Sequence, residues 1–118
     1  MVITSQDYVL RVKQNITEIT WAEFTTKDKV LLIDVREPQE WADGYVDSAH
    51  CVPRGVLEMK IAALLEQQSI DTPETQSIAL YCRSGARSAL ATQSLMDMGY
   101  QNVCSIAGGY QAYLKASQ

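Results

Sequence analysis

Two short apolar runs constrain the fold of this chain more than any other feature. Residues 30–35 read Val-Leu-Leu-Ile-Asp-Val, and residues 78–81 read Ile-Ala-Leu-Tyr. A strand with one face in water alternates apolar and polar residues, whereas a continuous apolar run is typical of a strand buried on both faces of a parallel sheet. The sequence therefore predicts a central sheet that is mainly parallel.

Helical patterns separate the strand candidates. Residues 55–67 place apolar side chains at i, i+4, i+7 and i+8, beginning at Leu57, and residues 88–98 carry a second apolar face. Strands and helices alternate along the chain, and in such chains the helices cover both faces of the sheet. The expected fold is a three-layer α/β/α domain with a mainly parallel central sheet.

Length, hydropathy and charge limit the classes of protein. The chain has 118 residues, enough for one domain with its own core. We expect an N-terminal extension over residues 1–15, with a candidate short helix, and one domain over residues 16–118. No apolar stretch approaches the ~20 residues of a membrane span, and no secretory signal is visible, so a cytoplasmic protein without a membrane partner is expected. The net charge of −4 argues against a nucleic-acid partner.

The second apolar run delivers Cys82 into a short polar loop. Residues 82–88 read Cys-Arg-Ser-Gly-Ala-Arg-Ser, and a helical pattern follows directly. The nucleophile of cysteine is the thiolate. Amide N–H groups at a helix N-terminus favour negative charge, and two guanidinium groups add to that field. A buried structural cysteine has no need of such a loop, so Cys82 is predicted to be catalytic.

The remaining cysteines and the single histidine give weaker signals. Cys51, Cys82 and Cys104 form an odd set without a Cys-x-x-Cys pair, which is neither a disulfide framework nor a zinc site. His50 is the only histidine. We therefore expect no metal and no cofactor, and a reducing compartment. A redox sensor in which Cys82 pairs with Cys51 or Cys104 stays open at this stage.

Four segments, in order along the chain, resemble the rhodanese family of sulfurtransferases in its single-domain form. They are the Leu-Ile-Asp-Val-Arg-Glu-Pro run at 32–38 with the Glu-Trp that follows at 40–41, residues 44–53, the Cys82 loop, and residues 99–110 with their Gly-Gly pair. The resemblance covers about residues 16–115. Tyr45 departs from it, because the family usually has histidine there; altered local hydrogen bonding is expected, with activity kept.

The resemblance implies a rhodanese-like fold and a sulfurtransferase. Cys82 would take the outer sulfur of a donor such as thiosulfate, become a persulfide, and pass the sulfur to a thiophilic acceptor such as cyanide or a thiol. The implied partners are a small anionic sulfur donor and a thiol or cyanide acceptor, with a protein acceptor as a further candidate. No cofactor is implied.

The resemblance also assigns the residues around the cysteine. The substrate-binding and active-site loop comprises Arg83, Ser84, Gly85, Ala86, Arg87 and Ser88. Arg83, Arg87 and Arg54 are expected to hold the anionic donor. Asp34, at the end of the first apolar run, is expected to hydrogen-bond the loop and fix its shape. Arg36 is expected to tie Glu40 or another acid into the scaffold.

Besides the redox sensor, two rival functions stay open. A cysteine-based phosphatase or arsenate reductase uses a Cys-x5-Arg loop, whereas Cys82 and Arg87 stand in a Cys-x4-Arg spacing. One residue fewer gives a tighter ring of amides, which favours a single sulfur atom over a tetrahedral phosphate. The second rival is a non-catalytic rhodanese-like regulatory or interaction module. Such modules often lose the cysteine or the loop, and this chain keeps both.

Overall fold

The computed structural model describes residues 1–117, and its centre is one sheet of five parallel strands. The strands are β1 (Thr17–Ile19), β2 (Leu31–Asp34), β3 (His50–Cys51), β4 (Ile78–Tyr81) and β5 (Val103–Ile106). Their order across the sheet is β1-β5-β4-β2-β3, and every neighbouring pair is parallel. The predicted three-layer fold with a mainly parallel sheet is confirmed.

Within residues 1–117, six helices surround the sheet. They are α1 (Ser5–Lys13), α2 (Trp21–Thr25), α3 (Pro38–Trp41), α4 (Leu57–Gln67), α5 (Ala86–Asp97) and α6 (Gly109–Ala116), with 3-10 turns at Arg54–Val56 and Pro73–Thr75. The first helix precedes the sheet and packs against α5. No helix over residues 1–117 is both long enough and apolar enough to cross a membrane.

Side chains of the central strands alternate between two apolar cores. The core beneath α4 and α5 includes Ile33, Leu57, Ile61, Leu80 and Leu95. The core beneath α2 and α6 includes Leu32, Tyr81, Ile106, Trp21 and Tyr110. Because helices cover both faces, every residue of β2 and β4 is buried, which explains why these strands have continuous apolar sequences.

The two central strands end side by side at one rim of the sheet. Asp34, the last residue of β2, is in register with Tyr81, the last residue of β4. Cys82 follows at once, and α5 begins four residues later at Ala86. This topology places the cysteine loop beyond the carboxyl ends of the strands, where parallel sheets hold their ligands.

Candidate active site

The thiol of Cys82 lies under its own loop. The residue is 1% exposed, and the backbone N–H of Gly85 donates to Cys82 Sγ at 3.1 Å. Gly85 is the N-cap of α5 and has a φ of +113°, a left-handed conformation that is strained for any residue with a side chain. The glycine therefore lets the chain turn so that an amide points at the sulfur.

Two buried serines continue from the sulfur into the core. Ser88, in the first turn of α5, has its Oγ 3.4 Å from Cys82 Sγ. Ser105, on β5, has its Oγ 2.8 Å from that of Ser88, and both serines are fully buried. Sequence reasoning gave Ser105 no role. The available signal was a serine inside the otherwise apolar run at residues 103–106.

Arg87 is held by an acid of the scaffold. Its Nη1 and Nη2 donate to Glu40 Oε1 and Oε2 at 2.7 and 3.0 Å. This hydrogen bonding lowers the pKa of Glu40 to about 2. Both carboxylate oxygens of Glu40 engage the guanidinium group of Arg87, and binding of the donor by Arg87 stays a prediction.

Arg83 is the exposed cation of the loop. It lines a groove of about 440 Å³ that opens between α3 and α6. The other lining residues are Arg36, Glu40, Asp43, Tyr110, Gln111 and Leu114. Within residues 1–117, no acidic side chain forms an ion pair with Arg83. Of the two loop arginines, Arg83 is thus the one placed to meet an anion arriving from solvent.

Asp34 and Arg36 form a buried ion pair beside the loop. Asp34 is fully buried and Arg36 is 4% exposed, with Asp34 Oδ2 and Arg36 Nη2 2.8 Å apart. The prediction that Asp34 hydrogen-bonds the loop was wrong, because the Arg36 guanidinium and backbone amide occupy its carboxylate. Arg36 also donates to the Gly44 carbonyl at 2.8 Å and lies over the ring of Tyr110. The pair therefore fixes the scaffold around the groove.

Arg54 does not join this groove. Its Nη1 donates to Glu58, four residues later, at 2.8 Å. The side chain lines a separate groove with Tyr8 of α1 and Leu90 of α5. The structure therefore does not bring Arg54 to the cysteine loop as expected, and Glu58 at the start of α4 pairs with it instead.

The first turn of α6 is bonded to the backbone of the cysteine loop. The N–H groups of Tyr110 and Gln111 donate to the carbonyls of Cys82 and Arg83 at 2.8 and 3.0 Å. A Cβ on Gly109 would lie 2.7 Å from the carbonyl carbon of Arg83. The absence of a side chain at Gly109 therefore permits this close approach of α6.

Neither of the other cysteines is positioned to pair with Cys82. Cys82 follows β4, and β2 lies between β4 and Cys51 of β3. The Cα atoms of Cys82 and Cys51 are therefore about 10 Å apart. Cys104 is in register with Ala79, three residues before Cys82, which gives a similar separation. A disulfide needs Cα atoms within about 7 Å, so the redox-sensor alternative does not fit. Burial raises the pKa of both the Cys51 and Cys104 thiols.

Side chains that bind metals are not clustered. Over residues 1–117, no group of three or more His, Cys, Asp and Glu side chains is placed to hold a metal ion. His50 and Cys51 instead line a groove of about 600 Å³ at the β3 edge of the sheet, together with Tyr45. Tyr45, which departs from the family pattern, is thus exposed beside β3.

Comparison with known families settles the class of this fold. The rhodanese-like domain model matches residues 18–116. The chain belongs to the rhodanese-like domain family. It is 33% identical over 88 residues to a sulfurtransferase of Allochromatium vinosum, covering 75% of each chain. It is 39% identical over 87 residues to thiosulfate sulfurtransferase 16, chloroplastic, of Arabidopsis thaliana, covering 70% of this chain and 72% of that protein.

A longer relative and a solved structure also match this chain. The chain spans only 21% of a probable adenylyltransferase/sulfurtransferase of Mycobacterium tuberculosis, at 30% identity over 76% of this chain. A solved Rhodopseudomonas palustris protein, described as of unknown function and a possible tyrosine phosphatase, superimposes with a TM-score of 0.82 at 26% identity. That match covers 99% of this chain and 93% of the other. The sulfurtransferase relatives support sulfurtransferase activity as the general class for this rhodanese-like domain.

Proposed function

We propose that this rhodanese-like domain transfers sulfane sulfur from thiosulfate through a persulfide on Cys82. The observation that carries the proposal is the amide of Gly85, which donates to Cys82 Sγ at 3.1 Å. A backbone N–H aimed at a cysteine sulfur stabilises negative charge there, as oxyanion-hole amides do for oxygen. The attacking thiolate carries its negative charge on this sulfur, and the persulfide product carries its charge on the sulfur bonded to it.

The chemistry proceeds in two displacements. The Cys82 thiolate attacks the outer sulfur of thiosulfate, a sulfur–sulfur bond forms to Cys82, and the sulfur–sulfur bond of thiosulfate breaks. Sulfite leaves with the electron pair of that bond. Cyanide or a thiolate then attacks the terminal sulfur of the persulfide, and Cys82 leaves as a thiolate. Such covalent catalysis divides one transfer into two easier steps.

The surroundings of the sulfur favour a small anionic donor. Cys82 is 1% exposed, so a narrow molecule that carries its sulfur at one end reaches the site better than a bulky one. Arg83 supplies an exposed positive charge at the neighbouring groove. A relative at 39% identity is named a thiosulfate sulfurtransferase, which supports the same donor. The acceptor is proposed to be cyanide or a thiol, including a thiol on a protein.

The loop is less suited to phosphate. In a Cys-x5-Arg phosphatase the arginine binds phosphate oxygens, whereas here Arg87 is engaged by both carboxylate oxygens of Glu40. The Cys-x4-Arg loop is also one residue shorter.

Since the mechanism needs a reduced thiol, and all three cysteines are free, we also propose a reducing, cytoplasmic setting.

Intact-protein mass spectrometry tests the proposal directly. The reduced wild type is incubated with thiosulfate and then with cyanide, beside Cys82→Ser. Cys51→Ser and Cys104→Ser serve as matched controls that remove a thiol elsewhere. We expect the wild type and both controls to gain one sulfur atom, and cyanide to remove it with release of thiocyanate. Cys82→Ser should gain none.

The outcomes separate the candidate functions. Sulfur gain that persists in Cys82→Ser would place the nucleophile elsewhere. No gain in the wild type, with thiosulfate and with other sulfane donors, would favour the non-catalytic module. Hydrolysis of an aryl phosphate by the wild type and not by Cys82→Ser would favour the phosphatase.

A further inference from the structure

Ser105 is a fully buried serine that the proposed reaction has not used. It lies on β5 between the buried residues Cys104 and Ile106. A hydroxyl group in such a place is costly unless it is hydrogen-bonded. Within residues 1–117 its side-chain hydrogen bond is the one with Ser88, whose Oγ lies 2.8 Å away.

The Ser88 hydroxyl lies between two possible partners. One is Ser105 Oγ at 2.8 Å, and the other is Cys82 Sγ at 3.4 Å. A serine hydroxyl carries one hydrogen but accepts more than one bond. If Ser105 donates to Ser88, the Ser88 hydrogen is left for the sulfur. If Ser88 donates to Ser105 instead, the Ser105 hydrogen has no acceptor and the sulfur loses a donor.

A charged sulfur decides between these two arrangements. A thiolate has no hydrogen, so it can only accept, and hydrogen bonds to ionised groups are stronger than neutral ones. Donation from Ser105 to Ser88 satisfies both hydroxyl hydrogens, whereas the reverse leaves a buried donor unpaired. When Ser105 donates to Ser88 Oγ, it also polarises the Ser88 hydroxyl and so strengthens the hydrogen bond that Ser88 donates to Cys82 Sγ.

We propose that Ser105 is a positioning residue for Cys82, and that its hydroxyl donates to Ser88 and so directs the Ser88 hydroxyl to the sulfur. This inference rests on the proposed function, because it assigns the anionic form of Cys82 as the working one. The chain of hydroxyl groups ends at Ser105, which has no exposed atom. It therefore stabilises charge and provides no route for a proton to solvent.

The test measures the reactivity of the thiolate rather than turnover. The rate of Cys82 alkylation by iodoacetamide is followed by site-resolved mass spectrometry across a range of pH. Ser88→Ala should lower the rate at acidic pH about tenfold, because a donor to a charged group is lost. Ser105→Ala should lower it about threefold, because only polarisation and orientation are lost. All rates should converge at alkaline pH.

A double-mutant cycle shows whether Ser105 acts through Ser88. In the Ser88→Ala background, Ser105→Ala should produce no further change in the alkylation profile. Ser105→Cys keeps a small side chain but replaces a strong donor by a weak one, and it should match Ser105→Ala. This second variant decides the matter if the alanine variant does not fold.

Thr92→Val is the matched control. Thr92 is fully buried on the same helix, one turn after Ser88, and its hydroxyl donates to the Ser88 carbonyl at 2.8 Å. Its loss removes a buried hydroxyl that, within residues 1–117, has no hydrogen bond with Cys82 Sγ, so the wild-type pH profile should persist.

Two results would overturn the inference: a wild-type profile in both Ser105 variants, or an equal effect of Ser105→Ala with and without Ser88. Failure of the proposed function gives a different pattern. In that case the alkylation profiles shift as described, while the wild type gains no sulfur from thiosulfate.

Discussion

Arg87 and Glu40 form a two-pronged ion pair, with N–O distances of 2.7 and 3.0 Å. Glu40 lies in α3, which follows β2, and Arg87 lies in the first turn of α5, which follows β4. The pair therefore joins the two segments that leave the neighbouring central strands. It holds the start of α5, and with it the cysteine loop, against the rim of the sheet.

We predict that this ion pair stabilises the fold at neutral pH and that its contribution to the free energy of unfolding is lost in acid. Bonding to Arg87 lowers the pKa of Glu40 from 4.5 to about 2. A carboxyl whose folded pKa is depressed stabilises the fold above its unfolded pKa, and that contribution is lost as the pH falls from about 4.5 toward 2. Because both side chains are partly exposed, we expect Glu40→Gln to cost about 1 kcal/mol of unfolding free energy at neutral pH.

Urea denaturation of wild type and Glu40→Gln at several pH values measures this contribution. The difference between the two should shrink toward zero as the pH approaches 2. Glu66→Gln, an exposed position on α4, should follow the wild type throughout. A Glu40→Gln difference that stays constant with pH would contradict the assignment.

Gly109→Ala should displace the cysteine loop. Gly109 has a φ of +53°, and an added Cβ would lie 2.7 and 2.8 Å from the carbonyl carbon and oxygen of Arg83, and would also clash with the carbonyl oxygen of Cys82. These are backbone atoms, which cannot swing aside as a flexible side chain can. We expect a loss of more than about 2 kcal/mol in unfolding free energy, together with slower sulfur loading.

Thermal melting and the rate of sulfur gain from thiosulfate measure the two effects. Gly55→Ala is the matched control, since a Cβ there meets nothing within 4 Å. It should leave both quantities near the wild-type values. If Gly109→Ala behaves as Gly55→Ala does, the bonding of α6 to the loop is not required.

The parts of the fold that local pattern determines could be predicted from sequence. The apolar runs ending at Asp34 and Cys82 indicated buried parallel strands, because only a sheet covered on both faces tolerates them. The loop after Cys82 could be recognised because its glycine, serines and arginines are adjacent in the chain. The Tyr110 and Gln111 amides that bond the loop backbone could not, since they arrive from a distant helix.

Partner choice at the rim was harder to predict. Asp34 and Arg36 are two residues apart, a spacing that places side chains on the same side of an extended chain, whereas the family resemblance implied the loop as the partner of Asp34. Arg54 and Glu58 stand at the i, i+4 spacing of a helical ion pair, a signal that was available. Ser105 meets Ser88 only because β5 lies beside β4, and that strand order is a property of the tertiary fold.

Asp34→Asn tests whether Asp34 serves the scaffold. Removing its charge leaves Arg36, only 4% exposed, with no carboxylate partner among residues 1–117. Breaking a buried ion pair from one side typically costs about 3–5 kcal/mol, so the midpoint of urea denaturation should fall strongly. Asp47→Asn changes an exposed aspartate and should have no measurable effect. If Asp34→Asn kept wild-type stability but loaded sulfur slowly, Asp34 would instead act on the cysteine loop.

Arg83→Ala should weaken the binding of thiosulfate more than it slows the chemistry. Arg83 is exposed at the groove and carries no ion pair within residues 1–117, so its charge is available to an anionic donor. We expect KM for thiosulfate to rise about fivefold with kcat nearly unchanged, as when a contact common to ground and transition states is removed. Arg54→Ala is the matched control. It also removes one arginine, but from a groove that does not include the cysteine loop, and Arg54 is already paired with Glu58.

The two arginine variants distinguish a local contact from a general charge effect. Steady-state kinetics at low and high salt should show a KM that depends less on salt in Arg83→Ala than in the wild type, because one screened attraction is gone. Arg54→Ala should keep the wild-type KM. An equal rise in both variants would mean that the donor responds to the net charge of the domain, and Arg83 would then have no special place in donor binding.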